Sequence, residues 1–229
     1  MTARIAVSIL PKTVQEALQL IEKAENAHAD LIEVRLDCLG NQVELADLAA
    51  HGKTPKIATN RMTNLHGALT VSEAEQRKML LNAAKSGFEF VDIELSGTKV
   101  RELVSEVKAR GVQSIVSFHD FSGTPRLSEL KRIFQKEISS RADVCKIVTT
   151  AKRMEDNLTV LDFSSSASAS GKSKIVCFAM GELGKVSRLL SPLFGGFFTF
   201  ASLEHGSETA SGQMSIQEMR AGYELLGLW

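Results

Sequence analysis

The sequence predicts an α/β fold, a single-domain (β/α)8 TIM barrel, from three observations. Eight short apolar runs alternate with eight longer stretches of helical character, which is the pattern of parallel strands joined by helical crossovers. Several of the runs are apolar on both faces, as strands are when helices cover the sheet. The length of 229 residues fits one barrel, since barrels of this size need not divide into domains. A doubly wound open sheet is the alternative.

The predicted strands and helices follow one another along the whole chain. Strands are expected at residues 4–9, 30–36, 56–60, 88–95, 112–118, 142–150, 174–178 and 196–201. Helices are expected at residues 13–28, 43–50, 72–86, 98–110, 127–139, 152–163 and 184–190, with a last one beginning near residue 215. Three helix starts have capping-box spacing: Thr13 with Glu16, Ser72 with Glu75 and Ser215 with Glu218. The Ser/Ala-rich stretch 164–170 is expected to be a solvated helix end or a loop.

Composition and charge argue against several classes of function. The 27 Lys and Arg residues balance the 27 Asp and Glu residues, so nothing favours a nucleic acid or an anionic membrane as partner. No signal peptide, membrane-spanning run or disulfide framework is recognisable, so we expect a cytoplasmic protein. Neither clustered metal ligands nor a Gly-rich nucleotide fingerprint occurs, so we expect no metal and no cofactor.

The predicted strand at residues 142–150 has a lysine at its centre. Lys146 lies between apolar residues, and a fully buried lysine is rare unless it has a partner. Burial disfavours the ammonium form, and a neutral amine can form a Schiff base with a carbonyl compound. The alternative is that Lys146 extends towards the strand end and pairs with a carboxylate such as Asp143. This strand by itself favours the alternative, because buried ion pairs are commoner than catalytic lysines.

Ionisable residues also occur in neighbouring strands, late in each strand and on one face. They are Glu33 and Arg35 in the second strand, Arg61 after the third, Asp92 and Glu94 in the fourth, His119 after the fifth, Lys146 in the sixth and Arg188 beyond the seventh. Each has a structural explanation of its own, such as an ion pair that fills the barrel, a satisfied core histidine or a surface arginine. Their repetition favours one shared polar site, because barrel active sites lie at the carboxyl ends of the strands and unpaired buried charge is costly.

This set of residues suits Schiff-base chemistry on an anionic substrate. An iminium on Lys146 would acidify the neighbouring carbon, and His119 can transfer protons near neutral pH. Arginines at the same mouth would further disfavour the lysine ammonium, and their planar guanidinium groups match a carboxylate or a phosphate. We therefore expect an elimination or an aldol-type reaction. The pair Gly195-Gly196 is more typical of a tight strand entry than of a phosphate site.

Several short motifs occur in a fixed order over nearly the whole chain. They are Glu33-Val34-Arg35-Leu36-Asp37, the histidine stretch Ser117–Phe121, Lys146, and a tail from Met180 to Gln213 that contains Val186-Ser187-Arg188-Leu189, Pro192-Leu193-Phe194-Gly195, Thr199-Phe200-Ala201 and Ser211-Gly212-Gln213. In this order and spacing they resemble the type I 3-dehydroquinate dehydratases of the shikimate pathway.

The resemblance implies a barrel enzyme, usually a homodimer, that converts 3-dehydroquinate to 3-dehydroshikimate with no cofactor or metal. Lys146 would form the Schiff base, and His119 would take the proton from the adjacent carbon and later donate one to the departing hydroxyl. The residues that match substrate-binding positions are Ser8, Glu33, Arg35, Arg61, Met180, Arg188, Phe200, Thr209 and Gln213. Among these, Arg188 matches the carboxylate-binding arginine. Residues 203–212 would form a mobile lid that Gln213 helps to close over the substrate.

The sequence departs from the family pattern in the support of the histidine. The family usually has a glutamate four residues after the arginine at Arg61, where it orients the histidine, and this chain has Leu65 there. We therefore expect either that Glu94 or Asp92 supports His119 or that the histidine is held less well than in the family.

Two milder departures are Phe178, in place of a family methionine in the seventh strand, and Thr209, in place of a lid serine. The alternatives to a dehydratase are a Schiff-base aldolase on the same barrel and a non-catalytic barrel that acts as a binding module. The aldolase predicts a phosphate-binding Gly-rich turn after the seventh or eighth strand, and the binding module predicts loss of the lysine or the histidine.

Overall fold

Strands and helices alternate throughout the computed structural model, which describes residues 3–39, 44–61 and 72–227. The strands are β1 Ile5–Ile9, β2 Leu31–Arg35, β3 Lys56–Thr59, β4 Phe90–Glu94, β5 Gln113–His119, β6 Val144–Thr150, β7 Lys174–Met180 and β8 Thr199–Ala201. The helices are α1 Val14–Asn26, α2 Leu45–Ala50, α3 Glu73–Lys85, α4 Val100–Lys108, α5 Leu127–Ser139, α6 Glu155–Ala169, α7 Lys185–Leu190 and α8 Ile216–Leu225.

The eight strands form a parallel sheet that closes almost completely into a barrel. Hydrogen-bonded neighbours follow the order β8-β1-β2-β3-β4-β5-β6-β7, and in the pairing of β1 with β8, Ile5 lies opposite Thr199. The two ends of the sheet meet at a bridge between Ile175 of β7 and Gly196. There the backbone N–H of Phe197 donates to the carbonyl of Ile175 at 2.7 Å. This is the predicted (β/α)8 barrel and not an open sheet.

Inward-facing side chains form rows, because successive inward residues of a strand are two apart. The floor row is apolar and consists of Ala6, Leu31, Ile57, Phe90, Ile115, Val144, Val176 and Phe198. Two residues further along, the middle row consists of the buried Ser8, Glu33, Thr59, Asp92, Ser117, Lys146, Phe178 and Phe200. Two residues further again, the mouth row includes Arg35, Arg61, Glu94, His119, Val148 and Met180. The barrel interior therefore changes from apolar to polar towards the carboxyl ends of the strands.

The helix starts follow the predicted capping signals. The Thr13 side chain accepts a hydrogen bond from the backbone N–H of Glu16 at the start of α1. Full capping boxes begin α3 at Ser72 and α8 at Ser215. These caps satisfy backbone N–H groups that have no partner within the helix. The helices then bury their apolar faces against the outer surface of the strands in two further clusters.

Several element boundaries differ from the sequence prediction, including those of α6, β7 and β8. Helix α6 continues to Ala169 instead of ending near residue 163, because buried small side chains such as Ala167 let this part of the helix lie against the barrel. Strand β7 continues to Met180, which pairs in register with Thr150. Strand β8 begins at Thr199 and not at residue 196.

Candidate active site

A cavity of about 380 Å³ opens at the carboxyl ends of the strands. Its walls combine the middle and mouth rows with residues 209–211 and 213 of the loop after β8. The lining includes Ser8, Glu33, Arg35, Arg61, Glu94, His119, Lys146, Met180, Arg188, Phe200, Thr209 and Gln213. The sequence-predicted catalytic and substrate-binding residues therefore surround one space. Asp92, predicted as a support for the histidine, is buried behind this wall.

Lys146 is buried in the middle row and pairs with carboxylates. Its Nζ lies 3.0 Å from Oδ2 of Asp92 and 3.6 Å from Oε1 of Glu33. The sequence analysis placed arginines at the same mouth, and Arg35, Arg61 and Arg188 do line the cavity with Lys146, but the ion pairs of the lysine are with two acids. Asp143, the partner that the structural alternative suggested, instead accepts a hydrogen bond from Lys108 at 2.7 Å. Lys146 therefore points into the barrel and does not extend to the strand end.

Asp92 connects the lysine to an arginine. Its Oδ1 accepts a hydrogen bond from the Ser117 hydroxyl at 2.6 Å and lies 3.0 Å from Nη1 of Arg61, while Oδ2 faces Lys146. Burial alone would raise the pKa of Asp92, but the charges of Arg61 and Lys146 and the Ser117 hydrogen bond outweigh it and hold this pKa far below its usual range. Asp92 is thus a carboxylate held between two cations.

Glu33 is fixed from both sides by hydroxyl groups. Ser8 donates to Oε2 at 2.5 Å, and Thr59 donates to Oε1 at 2.8 Å. Burial by itself would raise the pKa of Glu33, but the charges of Lys146 and Arg35 lower it overall. The middle row therefore holds a second ionised carboxylate beside the lysine.

Carboxylates also fix the two arginines of the mouth row. Arg35 donates through Nε and Nη2 to the two oxygens of Asp37 at 2.9 and 2.7 Å, so its close ion pair is with Asp37 and not with Glu33. Arg61 Nη1 lies 3.6 Å from Oε1 of Glu94. Burial would lower the pKa of both arginines, but the acids around them raise it. Both arginines are therefore fixed cations in the cavity wall.

His119 is half-buried at the end of β5 and lines the cavity. Its ring stacks on that of Phe121, with centroids 6.1 Å apart and an interplanar angle of 13°. Burial, and then the charges of Arg61 and Lys146, hold the pKa of His119 well below its usual value. The imidazole is therefore neutral at neutral pH and can accept a proton.

The two acids expected to orient His119 make other contacts. Those of Asp92 are with Lys146, Arg61 and Ser117. Glu94 contacts Arg61 and accepts a hydrogen bond from Nε2 of Gln76 at 3.0 Å. Leu65, at the place of the family glutamate, lies outside the described residues. The support of His119 by Glu94 or Asp92 stays a prediction.

Arg188 is a deeply buried arginine whose hydrogen-bonding capacity is mostly unused. Its side chain is 1% exposed, and Nη1 donates a long hydrogen bond of 3.4 Å to the carbonyl of Phe200. Within the described ranges Nε and Nη2 have no hydrogen-bond partner. Burial lowers the pKa of Arg188 to about 9. The N–H groups of Nε and Nη2 can therefore donate hydrogen bonds to a carboxylate at this wall of the cavity.

The loop after β8 closes one side of the cavity through tight backbone contacts. Thr209 donates to Oε1 of Gln213 through its backbone N–H at 2.6 Å and through its hydroxyl at 3.2 Å. The backbone N–H of Gly181 donates to the carbonyl of Ser211 at 2.9 Å. A Cβ at Gly212, where φ is +70°, would overlap the carbonyl of Gly181. Only glycine allows this approach between the loop and the end of β7.

The pair Gly195-Gly196 is part of a close-packed turn. A Cβ at Gly195 would lie 2.5 Å from the side chain of Ser168, and one at Gly196 would lie 2.7 Å from the backbone oxygen of Ser191. These positions are occupied by protein, as the tight strand entry predicted from the sequence requires. They do not form the open turn that the aldolase alternative predicts.

The described residues contain no group of three or more His, Cys, Asp and Glu side chains that could hold a metal ion. Among them there is also no helix long and apolar enough to cross a membrane.

Comparison with known protein families shows which family the chain belongs to. Residues 5–228 match the family described as Type I 3-dehydroquinase. The chain belongs to the type I 3-dehydroquinase family. The relatives of this type I 3-dehydroquinase include a 3-dehydroquinate dehydratase of Methanococcus maripaludis, 34% identical over 97% of this chain and 99% of the relative. Another, from Methanothermobacter thermautotrophicus, is 36% identical over 96% of each chain. Both carry the name 3-dehydroquinate dehydratase.

A solved structure also resembles this type I 3-dehydroquinase over its whole length. The crystal structure of 3-dehydroquinate dehydratase from Geobacillus kaustophilus superimposes with a TM-score of 0.90. The two sequences are 26% identical, and the match covers 100% of this chain and 93% of the other.

Several cavity residues of the type I 3-dehydroquinase were not predicted as site residues. Val148 and Thr150 line the cavity because they follow Lys146 at two-residue steps on the same face of β6. Strand periodicity could have identified both. Gly181 and Ala210 line it through loops. Ala210 belongs to the predicted lid, residues 203–212, whereas no local sequence signal indicates Gly181.

Proposed function

We propose that this protein is a 3-dehydroquinate dehydratase that removes water from 3-dehydroquinate, giving 3-dehydroshikimate, through a Schiff base on Lys146. The observation that supports this most is the placement of three groups around one cavity. They are the buried amine of Lys146, the imidazole of His119 and the guanidinium of Arg188 with open N–H groups. An imine-forming elimination on a carboxylate needs a nucleophile, a proton carrier and an anion anchor, and these groups supply them.

Imine formation begins with removal of a proton from the lysine. Lys146 is paired with Asp92, so it must lose a proton before it attacks. His119 can accept that proton, because its lowered pKa keeps the imidazole neutral at neutral pH. The amine then attacks the substrate ketone to give a carbinolamine. The imidazolium of His119 returns its proton to the carbinolamine hydroxyl, which leaves as water, and the positive charge of the resulting iminium lies beside the carboxylates of Asp92 and Glu33.

The elimination uses His119 twice. Its imidazole takes a proton from the carbon next to the imine, and the electron pair of that C–H bond moves into the iminium to give an enamine. The imidazolium then donates its proton to the departing hydroxyl, which leaves as water while the carbon–carbon double bond forms. A further water hydrolyses the imine and restores the Lys146 amine, so one water is lost overall.

The remaining cavity residues bind the substrate in this proposal. Arg188 holds the carboxylate through two N–H groups, and the ionised acids and arginines of the middle and mouth rows hold the ring hydroxyls. The binding residues are Ser8, Glu33, Arg35, Arg61, Met180, Arg188, Phe200, Thr209 and Gln213, all of which line the cavity. Glu94 or Asp92 supports His119. The loop 203–212 acts as a lid that excludes water from the imine.

Borohydride trapping tests the proposal directly. The protein is treated with borohydride with and without 3-dehydroquinate, and intact mass and peptide mapping locate any adduct. We expect an adduct on Lys146, and Lys146→Ala should lose both the adduct and the dehydration.

Lys56 supplies a matched control, because it is also a buried strand lysine and its Nζ donates to the carbonyl of Thr54 at 3.0 Å. Lys56→Arg should keep both the borohydride adduct on Lys146 and the dehydration activity. Turnover or an adduct in Lys146→Ala would remove the lysine from its assigned role.

The resemblance further supports a homodimeric, cytoplasmic enzyme in which residues 1–229 form one catalytic domain, acting without metal or cofactor. Sedimentation equilibrium should give twice the mass of one chain, and prolonged chelation should leave kcat unchanged.

A further inference from the structure

Arg188 lies against an aromatic ring instead of an acid. Its Cζ is 4.4 Å from the centroid of the Phe178 ring, within the range of a favourable cation–π contact. No carboxylate forms an ion pair with Arg188 among the described residues. Phe178 is itself 2% exposed, so this contact is desolvated. The ring face is therefore the electrostatic partner of the guanidinium in this structure.

Phe178 lies beside Phe200, and each of the two rings has a cation against its face. Its centroid lies 6.1 Å from that of Phe200, and Nζ of Lys146 lies 4.1 Å from the Phe200 centroid. The two cations differ in what else contacts them. Lys146 has two carboxylates within 3.6 Å, whereas Arg188 has the Phe178 face and one long hydrogen bond to a carbonyl. A less negative face on the Phe178 ring should therefore loosen the position of Arg188 much more than a less negative face on the Phe200 ring loosens Lys146.

We propose that Phe178 is a positioning residue that holds the Arg188 guanidinium in place for the substrate carboxylate and thereby sets affinity for the substrate. This role rests on the proposed function. The Cζ of Arg188 lies over the Phe178 ring, while Nε and Nη2 have no hydrogen-bond partner among the described residues, so these two N–H groups can donate to a carboxylate. A methionine, the residue usual in the family at this position, would give contact without the negative face of an aromatic ring.

Replacement of Phe178 by fluorinated phenylalanines separates electrostatics from packing. Monofluoro, difluoro and trifluoro rings have nearly the same shape but a progressively weaker negative face. A carboxylate anchor contributes equally in the ground state and in the transition state, so its loss raises KM and leaves kcat nearly unchanged. We expect KM for 3-dehydroquinate to rise stepwise, reaching about 5- to 30-fold with the trifluoro ring. Phe178→Met, which also lacks a negative ring face, should give a KM similar to that of the trifluoro variant.

Phe163 provides the matched control. It is a buried phenylalanine that packs edge-on against Phe134, with centroids 5.8 Å apart, on the outer side of the barrel. The same fluorinated rings at Phe163 should leave KM within twofold of the unmodified protein. Thermal unfolding of each variant checks that the fold is retained.

A second measurement makes the result independent of turnover. Calorimetry of 3-dehydroquinate binding in a Lys146→Ala background should show the same stepwise loss of affinity when Phe178 is fluorinated. Equal affinity across the series would overturn the role of Phe178 and leave the dehydratase proposal intact. Absence of turnover by the unmodified protein would overturn the dehydratase proposal, and the calorimetric series would still decide whether Phe178 positions Arg188.

Discussion

Asp92→Asn should destabilise the protein severely, because it removes a negative charge between two buried cations. The carboxylate lies 3.0 Å from Nζ of Lys146 and 3.0 Å from Nη1 of Arg61, and its residue is 1% exposed. Asparagine keeps the shape and can still accept the Ser117 hydrogen bond. The substitution therefore tests the charge and not the packing.

The magnitude follows from the two distances. At an effective dielectric constant near 20, each pair at 3.0 Å attracts with roughly 5 kcal/mol. Part of this attraction offsets the cost of burying the charges, and removal of one partner from a buried pair costs about 3–5 kcal/mol in measured cases. For a chain of this length such a loss lowers Tm by roughly 6–20 °C.

The pH dependence gives the sharpest test. The folded-state pKa of Asp92 is depressed far below its usual range, so its contribution to stability is complete above the unfolded pKa near 3.9 and is lost as pH falls towards the folded pKa. The gap in unfolding free energy between wild type and Asp92→Asn should therefore be constant from about pH 5 to pH 8 and shrink below about pH 4. Urea titrations at each pH measure it.

Glu94→Gln is the matched control two residues along the same strand. Glu94 lies further from Arg61, at 3.6 Å, and its side chain is 21% exposed, so its removal should cost less than about 1 kcal/mol. A loss below about 1 kcal/mol for Asp92→Asn, or a gap that persists unchanged at pH 3, would refute this account of the charge network.

Three further predictions concern pH and the loop. Glu137 is fully buried, and burial, only partly offset by a hydrogen bond with the Cys145 thiol, raises its pKa well above the usual value. The free energy of unfolding of the wild type should therefore fall by up to about 1.4 kcal/mol per pH unit as pH rises from the unfolded-state pKa of Glu137 towards its folded-state pKa. Urea titrations of Glu137→Gln should show a smaller dependence of the unfolding free energy on pH. Because the pKa of His119 is held well below 6.5, kcat/KM, which reports the ionisations of the free protein, should stay level from pH 8 to 6.5 and fall only in more acidic buffer; a profile of kcat/KM with its acid midpoint at 6.5 or above would contradict this. Gly212→Ala, which forces a Cβ against Gly181, should lower kcat/KM about 10- to 100-fold and speed proteolysis of the loop, and wild-type values for both would exclude a tight loop closure.

Local signals in the sequence were enough to predict the barrel. The strands are short, largely apolar runs, and three helix starts have capping-box spacing, so both signals are readable within about ten residues. The change from apolar Val144 to Lys146 is also local. These features led to the eight alternating elements and to the position of the polar site at the carboxyl ends of the strands.

Contacts across strands could not be predicted in the same way. Lys146 and Asp92 are 54 residues apart in sequence, and their contact depends on strand register and barrel curvature, which no short window of sequence specifies. The sequence analysis placed the arginines and the acids at one mouth, but it could not tell that the ion pairs of Lys146 are with Asp92 and Glu33. The Phe178 face under Arg188 was missed for the same reason, since β7 and α7 meet there only after folding.

The pairing of β1 with β8 has a consequence for synthesis of the chain. Ile5 lies opposite Thr199, so β1, which is made before the other seven strands of the barrel, receives its second neighbour only after β8 has been made. Until then β1 presents an unpaired edge, which is the kind of surface that pairs wrongly with other chains. The contacts of Lys146 with Asp92 and Glu33 require only β2, β4 and β6. They can therefore form on a partial barrel, before the last strand arrives to close it.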